Sequence, residues 1–247
     1  AAKKGFTGEF WMRTESLINA RLLDQRITAE LGEPDWSISY VVIGGKGLLR
    51  FHYGNTTSAD SQIGMSSVML NDGGWHHIAL ARDDSTVRWF VDGTGITGNL
   101  TNNIQDFAPG TPLTVGCGRF GDQAFDGAID ELRISNFARY VTSFEPPGRH
   151  YRDVATLALF HLDETVSPSI DVVAGVTGTW GGAVSPDTDT LLELSTCCGD
   201  GMLTAGEECD VEGGAPDCTA QCVNVGALPT GSLALAGSGC AVVKGPV

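Results

Sequence analysis

The stretch that decides the fold is GGWHHIALARDDSTVRWFVDG, residues 73–93. Polar and apolar side chains alternate over residues 75–82 and again over residues 86–92. A period of two indicates β-strands, because successive side chains leave opposite faces of a strand. The polar run Asp83-Asp84-Ser85 between the two stretches indicates a turn. The sequence therefore predicts a β-hairpin at this place.

The predicted hairpin contains two adjacent histidines, His76 and His77, next to Trp75. On a strand the two rings point to opposite faces, whereas a chelating pair needs i, i+2 spacing on a strand or i, i+4 spacing on a helix. A metal ion shared by this pair is therefore disfavoured. We expect one ring to pack in the core and the other to face a neighbouring strand, so that substituting the pair affects stability more than binding.

Similar alternation predicts strands over much of the chain, and helical periodicity is nearly absent. The clearest runs cover residues 6–13 and 128–135. Further strand-like runs cover residues 38–43, 48–53, 68–70, 113–116 and 156–162, and one helical turn is predicted at 136–140. Short strands separated by glycine-rich turns, in a chain with 33 glycines, favour an all-β sandwich or barrel.

Composition and charge exclude several classes of protein. Hydrophobic residues make up 42% of the 247 residues and charged residues 18%, which favours a folded core over global disorder. The net charge of −15 repels nucleic acid and anionic lipid, so nucleic-acid binding is set aside. The long uncharged stretch 223–243 contains Pro229 and several glycines, and no transmembrane segment is predicted there.

Four segments occur in an order and spacing that resemble a known family. They are FTGEFW (6–11), WHHIA (75–79), WFVDG (89–93) and GAIDELRIS (127–135). Over roughly residues 5–165 the chain resembles bacterial laminin-G-like, concanavalin-A-like jelly-roll domains. The resemblance implies two antiparallel sheets packed face to face, with no particular chemistry guaranteed. It leaves little room for a first strand upstream, so residues 156–162 are expected to fill that edge.

Cysteine is concentrated near one end of the chain. Five of the seven cysteines fall between Cys197 and Cys222, in a glycine-rich segment without apolar periodicity. Such a cluster favours disulfides and an oxidising compartment. The spacings contain no C-x2-C pair and no nearby histidine, which argues against zinc in this segment.

The same segment resembles a second family, on the residues CGDG (198–201), GEECD (206–210), DC (217–218) and Cys222. This pattern is similar to the four-cysteine repeat of secreted and surface proteins from myxobacteria-like bacteria. The resemblance implies an exported bacterial surface protein with a small disulfide-rich C-terminal tail. Two disulfides are expected among Cys198, Cys209, Cys218 and Cys222, and three connectivities remain open.

Three cysteines lie outside that repeat. Adjacent cysteines rarely bond to each other, so we predict a Cys197–Cys240 disulfide and a buried free thiol at Cys117. The alternative is a Cys117–Cys197 disulfide that leaves Cys240 for a bond between chains. The predicted organisation is a jelly-roll domain at 1–165, a connecting segment at 166–196, a cysteine-rich repeat at 197–224 and a Gly/Ser/apolar tail at 225–247.

Catalysis is disfavoured by the arrangement of carboxylates. Jelly-roll glucanases use two carboxylates on one strand that flank a glycosidic bond. The pairs Asp130-Glu131 and Asp163-Glu164 are adjacent, so on a regular strand their side chains face opposite ways. The Glu-x-Asp-x-x-Glu pattern of the glucanases is absent. We therefore expect no enzyme, and a glycan-active enzyme is the third choice of function.

Ligand and metal binding are expected in loops. Ca²⁺ prefers carboxylate and carbonyl oxygens, and the loop 118–126 occupies the place where pentraxin-like relatives keep acidic ligands. The candidate Ca²⁺ ligands are Asp122, Gln123 and Asp126. The candidate ligand-binding residues are Tyr53, Asn55, Phe120 and Phe125.

The sequence thus predicts a secreted or bacterial cell-surface protein without catalytic activity. Its predicted function is adhesion through a glycan or protein ligand. The alternative is a structural subunit of an extracellular assembly, in which the apolar run 228–243 adds a strand to a copy of the chain.

Overall fold

A computed structural model describes residues 5–25, 36–54, 59–64, 68–83, 86–100, 112–164, 166–186, 233–235 and 240–244. Sixteen β-strands and no helix occur in these ranges. The first eight strands are β1 (Phe6–Arg13), β2 (Ala20–Asp24), β3 (Trp36–Ile43), β4 (Lys46–Gly54), β5 (Ala59–Gly64), β6 (Trp75–Asp83), β7 (Thr86–Val91) and β8 (Thr94–Leu100). The remaining strands are β9 (Leu113–Val115), β10 (Gly127–Ser135), β11 (Thr156–Phe160), β12 (Ser169–Ile170), β13 (Thr177–Gly181), β14 (Val184–Pro186), β15 (Leu233–Leu235) and β16 (Cys240–Lys244). Within the described ranges, no helix has the length and apolar character needed to cross a membrane.

The strands form two antiparallel sheets. Sheet A has the order β14-β15-β10-β1-β6-β7-β8, and β11 also pairs with β10. Sheet B has the order β12-β13-β16-β9-β2-β3-β4-β5. Apolar side chains from both sheets, among them Phe10, Trp89, Ile38 and Phe51, form one buried core. The fold is therefore the two-sheet jelly-roll sandwich that the alternation and the resemblance predict.

The quoted hairpin is built as predicted. Strands β6 and β7 pair from Ile78 with Val91 to Asp83 with Thr86. The next turn, Asp92-Gly93, connects β7 to β8 and has positive φ at both residues (49° and 68°), as a two-residue type I′ turn requires. Glycine is needed at the second position because the carbonyl of Phe144 packs against the place where a Cβ would lie.

Strands β2 and β8 lack the alternation that would predict them. In β2 the pairing shifts between Arg21 and Leu23, so the adjacent residues Leu22 and Leu23 are both in the core. A β-bulge of this kind removes the period of two from the sequence. Strand β8 contains two glycines and two threonines, a composition more typical of a turn.

Other differences concern the later part of the chain. No helical turn forms at 136–140, and residues 68–70 form no strand. Strand β11 occupies the edge beside β10, as expected for residues 156–162. Strands β12, β13 and β14 lie within the predicted connecting segment, yet they are part of the sandwich. Strand β14 pairs with β15 in sheet A, and β12 and β13 belong to sheet B together with β16.

Candidate functional site

The two histidines of the hairpin lie on opposite faces of β6, as the strand geometry predicts. His76 is held between two aspartates, with Nδ1 2.9 Å from Oδ2 of Asp92 and Nε2 3.1 Å from Oδ1 of Asp72. Asp92 also accepts a hydrogen bond from the backbone N–H of His77 (2.9 Å). The His76 side chain therefore connects the turn that contains Asp72 with the turn that contains Asp92. The His77 ring is fully buried on the other face.

His77 belongs to a buried polar group on the outer face of sheet A, here called the outer-face cluster: Glu9, His77, Arg133, Tyr140 and His150. The Glu9 carboxylate is at its centre. Oε1 accepts a hydrogen bond from Nε of Arg133 (2.8 Å), and Oε2 accepts one from the Tyr140 hydroxyl (2.7 Å). Nε2 of His77 is 3.4 Å from Oε2, and Nε2 of His150 is 3.7 Å from the same oxygen.

Residues 136–155, here called the covering loop, seal this cluster from solvent. Thr7 donates a hydrogen bond to the carbonyl of Phe137 (2.7 Å), and the indole of Trp11 donates one to the carbonyl of Pro147 (3.1 Å). Stacked rings of Tyr140 and Phe144 pack on the same sheet face. The loop therefore connects distant parts of sheet A through side chains of β1 and β6.

Charge favours an ionised Glu9 in this cluster, and burial favours a neutral His150. Burial raises the pKa of the Glu9 carboxyl, but the basic groups around it, which are His150 and His77 when protonated and Arg133 at every pH, outweigh burial and place this pKa below its ordinary range. Burial also holds the pKa of His150 well below its ordinary value, against the opposing charge of Glu9. At neutral pH the permanently charged partners of the Glu9 carboxylate are therefore the guanidinium groups of Arg133, at 2.8 Å, and of Arg139, at 3.7 Å.

A bulge in β10 corrects the expectation about Asp130 and Glu131. Glu9 pairs with Arg133 but Trp11 pairs with Asp130, so β10 has one residue more than β1 at this point. Glu131 accordingly has a φ of 52°. Ile129 and Leu132, on either side of the pair, are both in the core. The two carboxylates between them therefore share the outer face, and the prediction that they face opposite ways is wrong because the strand is not regular there.

Sharing a face does not make this carboxylate pair accessible. Glu131 is 2% exposed and accepts hydrogen bonds from Nδ1 of His161 (2.8 Å) and from the backbone N–H of His150 (2.8 Å). Asp130 is 5% exposed and accepts one from the backbone N–H of Glu131 (2.8 Å). Arg149 lies beside Glu131 and Asp163. The arrangement fastens the covering loop and leaves neither carboxylate open to a substrate.

Asp130→Asn is expected to stabilise the protein at pH 7–8 by on the order of 1 kcal/mol. Burial, then the charges of Glu131 and Asp163, hold the pKa of Asp130 well above its ordinary value of 3.8. The unfolded chain therefore releases this proton at lower pH than the folded chain, and wild-type stability falls as the pH rises from the unfolded pKa to the folded one. Asparagine keeps the acceptor for Glu131 and cannot ionise.

Urea denaturation of the wild type and of Asp130→Asn at a series of pH values from 3.8 to 8 checks the prediction. The advantage of the asparagine variant should be absent near pH 3.8 and should grow as the pH rises. The exposed Asp126→Asn variant serves as the control and should track the wild type. An advantage of Asp130→Asn that is the same at every pH would contradict the assignment.

A second feature lies at one end of the sandwich, where four connections meet. We call it the loop rim: residues 14–19, 43–45, 68–74 and 116–126. Hydrogen bonds join it, from Gly73 N–H to the Thr14 carbonyl (3.2 Å), from Asn71 Nδ2 to the Gly45 carbonyl (3.1 Å) and from the Thr14 hydroxyl to the Asp126 carbonyl (2.5 Å). The loop rim is therefore one hydrogen-bonded surface at the ends of both sheets.

Large apolar side chains are exposed on all four parts of the loop rim. They are Leu17 (64% exposed), Ile18 (68%), Ile43 (49%), Met69 (48%) and Phe120 (52%). Single exposed apolar residues are ordinary, but several on one hydrogen-bonded surface are typical of an interaction site. Exposed acidic side chains, including Glu15 and Asp72, lie beside them.

The structure separates the residues that the sequence grouped as a ligand and calcium site. Phe120 is on the loop rim, but Phe125 is fully buried and packs edge-on against Tyr40 in the core. Phe125 therefore presents no surface to a ligand, because its ring is part of the hydrophobic core between the two sheets. The side chain of Tyr53 and all of Asn55 lie outside the described residues.

The proposed calcium ligands are all exposed on the loop rim. The amide oxygen of Gln123 accepts a hydrogen bond from Nε of Arg21 (2.8 Å), so it faces a cationic side chain. The Asp122 side chain lies over Gly118, where a Cβ would collide with it, and the Asp122 carbonyl accepts a hydrogen bond from the Gly118 N–H (2.7 Å). A calcium site at Asp122, Gln123 and Asp126 stays a prediction.

Among the described residues, one group of at least three His, Cys, Asp or Glu side chains could hold a metal ion: Glu9, His77 and His150. The sequence did not point to it, because the three residues are far apart in the chain and only His77 stood out. The cysteines from Cys197 to Cys222 and the side chain of Cys240 lie outside the described residues. Cys117 is buried, as predicted, at 1% exposure.

The sandwich, with its core between two antiparallel sheets, defines the class of concanavalin-A-like jelly rolls. Residues 1–142 match the Laminin_G_3 family, described as the concanavalin A-like lectin/glucanases superfamily. This match covers more than half of the 247 residues, and the chain belongs to that family. Comparison with curated protein sequences finds no significant match.

Solved structures with the same fold include a Bacteroides ovatus protein described as carbohydrate-binding. It has a TM-score of 0.52 and 17% identity over 71% of this chain and 51% of that one, so the chain spans about half of its length. The chain is also similar to domain 4 of AbnA, an extracellular GH43 arabinanase from Geobacillus stearothermophilus (TM-score 0.42, 21% identity, 54% of this chain and 61% of that one). A third is the mouse laminin alpha1 chain, domains LG4-5 (TM-score 0.39, 19% identity, 56% and 39%).

Proposed function

We propose that this chain is a non-catalytic binding module that works outside the cell and recognises a glycan or a protein through the loop rim. The observation that supports this most is the exposure of five large apolar side chains on one hydrogen-bonded surface. Membership of a lectin-containing superfamily agrees with it. So does the fold shared with a Bacteroides ovatus protein described as carbohydrate-binding.

The arrangement of titratable groups favours binding over catalysis. Glycoside hydrolysis needs two carboxyl groups that reach a bond from either side. The described pair on one face, Asp130 and Glu131, is buried under the covering loop and hydrogen-bonded to the protein itself. A substrate would have to displace that loop before either group could act.

The composition of the loop rim separates the two ligand classes. Sugars stack on aromatic rings, and Phe120 is the exposed aromatic side chain among the five named above. The aliphatic side chains Leu17, Ile18 and Ile43 are better suited to apolar groups of a protein partner. A variant of Phe120 and a variant of the Leu17-Ile18 pair therefore report on different ligands.

We expect Phe120→Ala to weaken binding to a glycan about tenfold, and the double variant Leu17→Ser/Ile18→Ser to weaken binding to a protein by a similar factor. Immobilised polysaccharides and extracellular-matrix proteins are the probes, each with and without added Ca²⁺. Calcium dependence that disappears in Asp122→Ala/Asp126→Ala would support the predicted calcium site. Surface plasmon resonance gives the dissociation constants.

The matched control is Val154→Ser, which removes a fully exposed apolar side chain from the covering loop. It should leave every affinity unchanged. A ligand whose affinity neither loop-rim variant alters would show that recognition uses another surface, and the proposal would fail.

Assembly through strand addition is the second candidate. The observation that favours it is the place of β16, which lies between β9 and β13 in the interior of sheet B although it comes from residues 240–244. A strand of that kind is the element that two copies could exchange. Light scattering of the full chain would then give the mass of a dimer or larger assembly, whereas a monomer would leave the strand within its own chain.

A further inference from the structure

The group formed by Glu9, His77 and His150 has the spacing of metal ligands. Nε2 of His77 and Nε2 of His150 lie 3.4 Å and 3.7 Å from the same carboxylate oxygen, Oε2 of Glu9. One ligand atom from each of the three residues lies within 4.8 Å of the others. Two ligands on a tetrahedral zinc ion, bonded at about 2.0–2.1 Å, are separated by roughly 3.4 Å. Small side-chain shifts would therefore bring all three atoms onto one ion.

Neither of the two imidazole rings makes a hydrogen bond to the residues that the structure describes. His77 and His150 are both fully buried. None of their four ring nitrogens has a hydrogen-bond partner in the described part of the chain. Buried polar atoms are nearly always paired, and each exception calls for an explanation. An ion bound by both Nε2 atoms would satisfy one nitrogen of each ring.

We propose that Glu9, His77 and His150 bind a divalent transition-metal ion beneath the covering loop, and that this ion is Zn²⁺. Two imidazoles and one carboxylate are typical zinc ligands, whereas Ca²⁺ prefers oxygen ligands only. The three residues supply three of the four ligands that zinc takes, and the fourth ligand would be a water molecule. The ion links β1, β6 and the covering loop, so its role is to hold that loop on sheet A.

The neighbouring side chains orient the carboxylate for this role. Arg133 holds Oε1 of Glu9, which leaves Oε2 directed toward the two histidines. The Tyr140 hydroxyl hydrogen-bonds to Oε2 and can do so beside a metal ion, because a carboxylate oxygen has two lone pairs. The positive charges of Arg133 and Arg139 oppose a cation, but both guanidinium groups lie on the Oε1 side of Glu9, at 2.8 Å and 3.7 Å, and not on the Oε2 side that faces the histidines.

The test begins with the chain of residues 1–247, from which a chelator removes any metal and which is then titrated with Zn²⁺ and with Co²⁺ as a spectroscopic probe. We expect one equivalent bound at this site, with the intense visible bands of four-coordinate Co²⁺. The cysteines at 197–222 are the competing site. Thiolate ligands would add sulfur-to-cobalt charge-transfer bands in the near ultraviolet, and the proposed ligand set would not.

Single variants assign the site. His77→Gln and His150→Gln should each lose one equivalent, and His52→Gln, which changes a histidine of sheet B, should lose none. A hundredfold excess of Zn²⁺ over its dissociation constant should raise the melting temperature of the stripped wild type by roughly 5–10 °C. If the histidine variants fail to fold, the wild-type titration still decides.

Three results would overturn the proposal. The first is a folded wild type that takes up no Zn²⁺ and melts at the same temperature with and without chelator. The second is metal uptake accompanied by thiolate bands and unchanged in His150→Gln. The third is an equal loss of metal in His52→Gln.

Discussion

Replacing Glu9 with glutamine is expected to lower the free energy of unfolding by about 3–5 kcal/mol. The Glu9 carboxylate is fully buried, and its Oε1 is 2.8 Å from Nε of Arg133, itself 7% exposed. The substitution leaves the guanidinium charge in the interior without its counter-charge. Removing one partner of a buried ion pair is costly for this reason, even where the intact pair adds little.

Chemical denaturation in the presence of a chelator measures this effect without any contribution from a bound metal. The control is Glu145→Gln, an exposed glutamate of the covering loop, which should change the free energy by no more than about 0.5 kcal/mol. A Glu9→Gln variant as stable as the control would mean that Arg133 reaches solvent or another acid in solution.

Phe125→Ala is expected to destabilise the protein by about 3–5 kcal/mol and to leave ligand affinity unchanged in the fraction that remains folded. The ring is fully buried, with its centroid 6.0 Å from that of Tyr40. Its removal leaves a cavity at the end of the core, where the loop rim begins. The cost combines the lost burial with the unfilled volume.

Phe120→Ala is the matched comparison, because it removes the same side chain from the same loop at a position that is 52% exposed. Its stability should stay within about 0.5 kcal/mol of the wild type. Thermal and urea denaturation of the two variants separate a core residue from a surface one. The reverse order of stability would contradict the placement of this loop.

The fold was accessible from the sequence wherever the strands alternate. Strand β1 has the predicted bounds, and β6, β7 and β10 each differ from the predicted bounds by one residue at one end. Strand β2 was missed because a bulge places Leu22 and Leu23 on the same side. A period of two cannot be recognised where an extra residue interrupts it.

The candidate sites were harder to predict, because bulges interrupt the strands and because the residues of each site come from distant parts of the chain. The bulge at Glu131 places the side chains of Asp130 and Glu131 on the same face of the sheet, whereas a regular strand would place them on opposite faces. The outer-face cluster unites Glu9, His77 and His150 from positions that no local spacing connects. Phe125 and Phe120 look alike in sequence, and only the packing of the loop on the core distinguishes them.

The interior position of β16 determines at which stage of synthesis sheet B can be completed. Val115 of β9 pairs with Ala241, which follows it by 126 residues in the chain. A nascent chain that lacks β16 leaves β9 and β13 with unpaired edges, and residues 127–129 of β10 are likewise without their partner strand until β15 is present. Unpaired edges attract strands of other chains, and contacts between such distant residues form slowly. The protein therefore completes sheet B only after almost all of this sequence has been synthesised.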